Sequence, residues 1–225
     1  MPAFTLYGAR GSSNTDRVRL TLAEGGIKDY EVVFLNLQNG EQRSEEHIKR
    51  NPWGKIPVLV TSGNLTLYES RPISKYLAKK YAIPLLPADT DLEAVALFDQ
   101  AQSIETLYFA EPAGKISFEK FLKPILGLPV NEAAVTEAMR SLETFCDVTE
   151  RHLNQHSYMA GDEFSLVDIY YIPLVQRLFV CGYGEVITGR KALGAWWERC
   201  INRPAIKEML AADKAAAPAA FSKKS

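Results

Sequence analysis

The chain has 225 residues, 47% of them hydrophobic and 24% charged, which suffices to bury roughly 70–75% of its unfolded surface in one or two domains. A formal net charge of -1, with Lys and Arg scattered along the chain, lacks the basic footprint of a nucleic-acid binder. Three widely spaced cysteines, Cys146, Cys181 and Cys200, make neither a disulfide framework nor a zinc site, and no apolar run approaches membrane-spanning length.

In chain order, Met1-Pro2-Ala3 leads directly into the strand pattern Phe4-Thr5-Leu6-Tyr7, without the basic and apolar regions of a leader, so the default location is cytoplasmic. A turn over residues 8–11 precedes a helix whose Val18, Thr21, Leu22 and Gly25 recur at helical spacing. Ser12, Ser13 and Asn14 therefore stand at a helix start, where each is a good cap. Further on, Asn51-Pro52-Trp53-Gly54-Lys55-Ile56-Pro57 runs into the apolar Val58-Leu59-Val60. Pro57 cannot donate to a sheet ladder and belongs at the start of that strand. With a cis Ile56-Pro57 bond, the Ile56 backbone would face outward to pair with an extended ligand. Leu65-Thr66-Leu67-Tyr68 is a fourth short strand, and Glu69-Ser70 open the next helix, whose amides and acceptors can hold an amino-acid head group.

A βαβ unit followed by ββα, with the proline between them, is the layout of a thioredoxin-like domain with a four-stranded mixed sheet, assigned to residues 1–82. Ile83-Pro84-Leu85-Leu86-Pro87-Ala88-Asp89 breaks the helical pattern and marks a linker over 83–90. Residues 91–225 form an all-α domain with helices over 91–114, 132–155, 165–180, 190–201 and 204–210; a Pro- and Gly-containing loop at 123–130 separates an antiparallel pair. The Ala-rich stretch 211–225 reads as a frayed extension. Ser165 and Asp168 make a capping box flanked by Phe164 and Ile169, a folding device worth on the order of 1 kcal/mol, more if buried. His47, His152 and His156 lie in polar helical contexts and read as solvated surface residues; no Gly-x-Ser-x-Gly elbow accompanies Ser12.

Tyr7-Gly8, Ser12, Arg17-Val18, residues 51–57, Leu67-Tyr68-Glu69-Ser70-Arg71-Pro72-Ile73 and Phe164-Ser165-Leu166-Val167-Asp168 together resemble a cytosolic glutathione transferase over residues 3–210, most like the serine-type phi class. The resemblance implies glutathione as co-substrate, with no metal and no other cofactor. It implies that the Ser12 hydroxyl stabilises the glutathione thiolate, aided by the positive pole of the helix start; Ser13 could take that role if the turn shifts by one residue. Ile56, with Pro57, would pair with the cysteinyl part, and Glu69 and Ser70 would hold the γ-glutamyl group. Many phi-class chains have His where this one has Gln42, Lys where it has Arg43 and Gln where it has Lys55. Arg43 and Lys55 could still supply charged hydrogen bonds to the glycine carboxylate, or remain solvated cations.

A second, hydrophobic or aromatic substrate would lie between the domains against Tyr108, Phe109, Phe118 and Phe121. Such an aromatic stripe also suits a helical core. The expected chemistry is addition of glutathione to hydrophobic electrophiles, with reduction of organic hydroperoxides beside it; the alternative is a weakly catalytic carrier of hydrophobic small molecules. A homodimer is implied by the family, and neither nucleic acid nor membrane is an expected partner.

Overall fold

The computed structural model describes residues 2–216. Strands β1 (Phe4–Gly8), β2 (Glu31–Phe34), β3 (Val58–Thr61) and β4 (Thr66–Tyr68) form one sheet in the order β2-β1-β3-β4. β1 pairs parallel with β2 and antiparallel with β3, which pairs antiparallel with β4. The sheet is mixed because helix α1 (Ser13–Glu24) is a crossover between parallel strands, whereas the β3–β4 link is a tight turn. A 3₁₀ turn (Glu41–Arg43) and helix α2 (Glu45–Arg50) join β2 to β3, and helix α3 (Ser70–Lys80) closes the unit. This is the expected thioredoxin-like architecture.

Phe4 and Leu6 of β1, Val18 and Leu22 of α1, Leu59 of β3, and Ile73 and Leu77 of α3 share one buried cluster. Gly8 is required where β1 meets α1, because a Cβ there would lie 2.4 Å from Thr15 Cγ2. That close approach lets the Ala9 amide donate to Thr15 Oγ1 at 3.2 Å.

The remaining chain is helical: α4 (Leu92–Ile104), α5 (Ala110–Ser117), α6 (Lys123–Ile125), α7 (Glu132–Leu153), α8 (Leu166–Val180), α9 (Glu185–Thr188), α10 (Lys191–Ile201) and α11 (Pro204–Ala216). The linker is pinned to this body, since Ile83 and Leu85 are buried and Leu85 O accepts from the Leu166 amide at 3.0 Å. The helix expected over 91–114 does not stop at Gly114. It continues to Ile125 through two π turns, Glu105–Phe109 and Phe118–Leu122. Pro112, which has no amide hydrogen, follows the first of these, where the regular ladder is already interrupted.

Phe109 is fully buried, with its ring 4.7 Å from Tyr171 and 5.4 Å from Phe145, so it belongs to the core and not to a substrate wall. The stretch read as frayed from residue 211 is helical through Ala216, because Arg19 holds Asp213 with a two-pronged ion pair at 2.7 and 2.8 Å. Arg203 grips Glu24 in the same way at the other end of α1. Residues 217–225 of that expectation lie outside the described residues. Cys146 and Cys200 are buried and Cys181 is half-buried; burial pushes the Cys146 thiol up to about 12.

The capping box at α8 forms as expected, and does more than cap. Asp168 is fully buried and accepts from the Met159 amide (3.0 Å), the Ser165 amide (2.9 Å), Ser165 Oγ (3.2 Å) and Trp196 Nε1 (2.8 Å). Burial lifts its carboxyl above the ordinary carboxylate range, while these four donors oppose the shift. One side chain thus joins the helix start, the preceding loop and α10. Asp168→Ala strands these buried donors together, so urea unfolding should show a loss of about 3–5 kcal/mol. A loss near 1 kcal/mol would reduce the residue to a simple cap.

Candidate active site

Strand register decides where the expected site residues meet. Tyr7 lies opposite Val58, Val58 opposite Tyr68, and Gly8 opposite Phe34. The outgoing ends of β1, β2 and β4 and the incoming end of β3 therefore share one edge of the sheet. Ser12, Ile56-Pro57 and Glu69-Ser70 each follow or precede those ends by a few residues, so that edge gathers them.

Ser12 is the N-cap of α1, extended at φ -82 and ψ 115, and its Oγ accepts from the Thr15 amide at 3.3 Å. Accepting that bond leaves the hydroxyl proton free to donate outward. Gly11, at φ +71, supplies the left-handed turn that aims Ser12. Ser13 is the first helical residue and half-buried.

The Ile56-Pro57 bond is cis, Pro57 is buried and Ile56 half-buried. Its approach is fixed by a residue the sequence reading placed in solvent. His47 is 1% exposed, and its Nε2 lies 2.9 Å from Lys55 O. Asn51 Nδ2 donates to the same oxygen at 2.9 Å. Together they clamp the backbone one residue before Ile56. The neighbours of His47 in the chain, Glu45, Glu46, Ile48 and Lys49, are all exposed, so only the tertiary fold takes His47 out of solvent. His152 and His156 are half-buried, with their rings tilted against each other at 4.8 Å between centroids and His152 Nε2 3.1 Å from Tyr158 O. Gln42, Arg43 and Lys55 come together around Gly54: Gln42 O and Arg43 Cγ lie within 3.7 Å of where its Cβ would be. Arg43 and Lys55 are exposed, whereas Gln42 Oε1 is buried without a hydrogen-bond partner.

Glu69 is an exposed non-glycine residue at φ 73, a costly backbone state that tends to occur at functional sites. It caps α3 with no side-chain bond, and Ser70 beside it is buried with Oγ 3.5 Å from Asn14 Oδ1. Behind this contact is a charged cluster absent from the sequence reading. Arg17 is 2% exposed and donates to Asn14 Oδ1, Glu105 Oε1 (3.3 Å) and Tyr170 O (2.9 Å). Burial lowers its pKa to about 10, and the Glu105 carboxylate opposes that shift. Arg71 Nε donates to Glu105 Oε2 at 2.7 Å. Glu105 has no exposure at all and sits in the first π turn, so a widened turn of the helical body points a carboxylate at two arginines of the sheet domain. The one hint in the sequence is Arg17 directly before the apolar Val18 of α1.

Tyr108 and Phe118 are exposed, and Phe121 is half-buried. Phe121 approaches the Ser12 turn through Arg177, whose guanidinium lies over its ring. On the opposite flank of that turn, Arg10 lies over Phe34 at 4.4 Å. Neither cation was singled out from the sequence. Among the described residues, no group of His, Cys, Asp and Glu could hold a metal ion, and no helix is long and apolar enough to cross a membrane.

Comparison with known proteins agrees with this arrangement. The family profile "Glutathione S-transferase, N-terminal domain" matches residues 2–79, and "Glutathione S-transferase, C-terminal domain" matches residues 109–204. Glutathione S-transferase 1 of Zea mays is 34% identical over 217 residues, covering 96% of this chain and 100% of the relative. The crystal structure of glutathione transferase F7 from Populus trichocarpa superposes with a TM-score of 0.87 at 30% identity, over 92% of this chain and 98% of the other. Glutathione S-transferase I from maize, solved in complex with an atrazine glutathione conjugate, gives a TM-score of 0.87 at 34% identity, over 96% of this chain and 100% of the other. A paired N- and C-terminal family match, full-length relatives and an edge gathering Ser12, Ile56 and Ser70 lead to one assignment: the chain belongs to the glutathione transferases, and within them it is most like the phi class.

Proposed function

We propose that this enzyme binds glutathione along the shared sheet edge and adds it to hydrophobic electrophiles, with Ser12 as the group that stabilises the thiolate. The observation that carries the reading is the Ser12 geometry: its Oγ accepts from the Thr15 amide, and its proton is left to donate. A thiolate held at the start of a 12-residue helix gains from both that hydroxyl and the positive pole. Serine acts here as a hydrogen-bond donor to sulfur, not as a nucleophile.

In the same reading, the Ile56 backbone ahead of Pro57 pairs with the cysteinyl part of the tripeptide, held in place by His47 and Asn51 through Lys55 O. Glu69 and Ser70 take the γ-glutamyl group, and Gln42, Arg43 and Lys55 take the glycine carboxylate. The two exposed cations suit that anion, and Gln42 would serve it through its side-chain NH₂, since its buried Oε1 can only accept. Tyr108 and Phe118 offer apolar area to the electrophile. Glutathione is a co-substrate, and the chemistry needs no metal or other cofactor. Three free cysteines suit a reducing, cytoplasmic setting.

Ser12→Ala should lower kcat by about 10²-fold and move the ultraviolet thiolate titration of bound glutathione toward that of the free tripeptide, while Ser13→Ala changes either far less. Unchanged titration in Ser12→Ala would remove the serine from the chemistry. Glu105→Gln leaves Arg17 and Arg71 without their shared carboxylate; unfolding should show a loss of about 3–5 kcal/mol, with a raised KM for glutathione as Asn14 and Ser70 shift. An unaltered KM in the folded variant would confine the cluster to stability. Homodimerisation completes the reading; Trp53, Leu92 and Leu97, which are 71%, 77% and 57% exposed, are apolar side chains that a second subunit could cover. Sedimentation at low concentration should give twice the chain mass, and a monomer mass would refute it.

A further inference from the structure

Seven arginines among the described residues are buried or half-buried, and six of them face a carboxylate: Arg17 and Arg71 face Glu105, Arg19 faces Asp213, Arg50 faces Glu46, Arg190 faces Asp147 and Arg203 faces Glu24. The seventh, Arg177 near the C-terminal end of α8, has no such partner. The acidic side chain whose field reaches it, Asp16, is already paired with Arg19 at 3.1 Å. Burial lowers the pKa of Arg177, yet a guanidinium stays charged. A half-buried cation with no carboxylate beside it keeps donor capacity that a partner from outside can use.

The side chain is also fixed. Nη2 donates to Gly11 O at 2.7 Å, and Cζ lies 3.4 Å from the centroid of the Phe121 ring. One hydrogen bond and one stacked face leave the rest of the planar fork without a protein acceptor among the described residues. Gly11 is bonded to Ser12, and Phe121 shares the second π turn with Phe118. Arg177 thus stands where the thiol-holding turn meets the aromatic wall. Arg10, over Phe34, is exposed and has no hydrogen bond to hold it, so it is the weaker anchor.

We propose that Arg177 determines specificity at the second-substrate site: it receives the carboxylate, or a comparably polar acceptor group, of an aromatic electrophile whose ring lies against Phe118 and Phe121. This rests on the transferase reading above. The preferred electrophiles are then acidic aromatics rather than purely apolar ones. With an aryl chloride, the glutathione sulfur forms the new S–C bond, chloride leaves with the electron pair of the broken C–Cl bond, and the thiol proton passes to solvent.

The test compares 4-chloro-3,5-dinitrobenzoate with its methyl ester on the full chain. The ratio of kcat/KM for acid over ester should fall about tenfold or more in Arg177→Met and recover largely in Arg177→Lys, with ester turnover serving as the check on folding. Binding of the unreactive 3,5-dinitrobenzoate, measured by calorimetry, should weaken by a similar factor without any need for turnover. Equal losses for acid and ester, or no change in either the ratio or the binding, would overturn the proposal and leave Arg177 as a prop for the Gly11 turn. A wild-type protein that binds 3,5-dinitrobenzoate through Arg177 but conjugates neither chloride would instead sink the transferase reading alone.

Discussion

The antiparallel pairing of β1 with β3 is the constraint on which the site depends. Opposing Tyr7 to Val58 sets the outgoing end of β1 beside the incoming end of β3, and the Val58–Tyr68 pair extends the same edge to β4. A slip of one residue would reverse the faces of Leu59 and its neighbours and turn apolar side chains out of the core, so burial itself locks the register. Once it is locked, the Ser12 turn, the Ile56-Pro57 approach and the Glu69-Ser70 helix start have no other place to go. Segments separated by more than forty residues in the chain become neighbours, close enough for Ser70 Oγ to reach Asn14 Oδ1.

Around that edge the polar groups fall into two kinds. Those that organise it are buried and paired within the protein: His47 Nε2 and Asn51 on Lys55 O, Thr15 on the Ala9 amide, and Glu105 between Arg17 and Arg71, although His47 Nδ1 has no hydrogen-bond partner among the described residues. Those at the Ser12 turn keep unused capacity, as with the Ser12 proton and most of the Arg177 fork. Satisfied groups hold a geometry at low cost, whereas unsatisfied ones are retained where a ligand can complete them. The helical body contributes to both kinds, because Glu105 and Phe121 each occupy a π turn, where the helix widens and re-aims its side chains toward the sheet domain.

Asp168 plays for the helical body the part that register plays for the sheet. It was legible as a capping residue from its three-residue spacing to Ser165. Its bonds to Trp196 and to the Met159 amide were not, since they join segments whose approach depends on how α10 packs. Phe109 shows the opposite error. As one of four aromatics on a helical stripe it could line a cleft or a core, and only the packing of Phe145 and Tyr171 against it settles on the core.

By itself the sequence determined what local chemistry dictates. The caps at Ser12 and Ser165 follow from side chains that satisfy free amides within their own turn, and the proline before β3 follows from a residue that cannot donate to a ladder. The alternation of strands and helices before residue 83, and helices alone after it, follow from hydrophobic period. Tertiary structure alone decided that His47 is buried, that Arg17 and Arg71 share Glu105, that the helix after residue 91 runs on through two π turns, and that Arg177 reaches Gly11. Each of these depends on atoms brought together from distant parts of the chain. A residue's own neighbours in sequence fix its backbone preference, but they carry no record of what will cover its side chain.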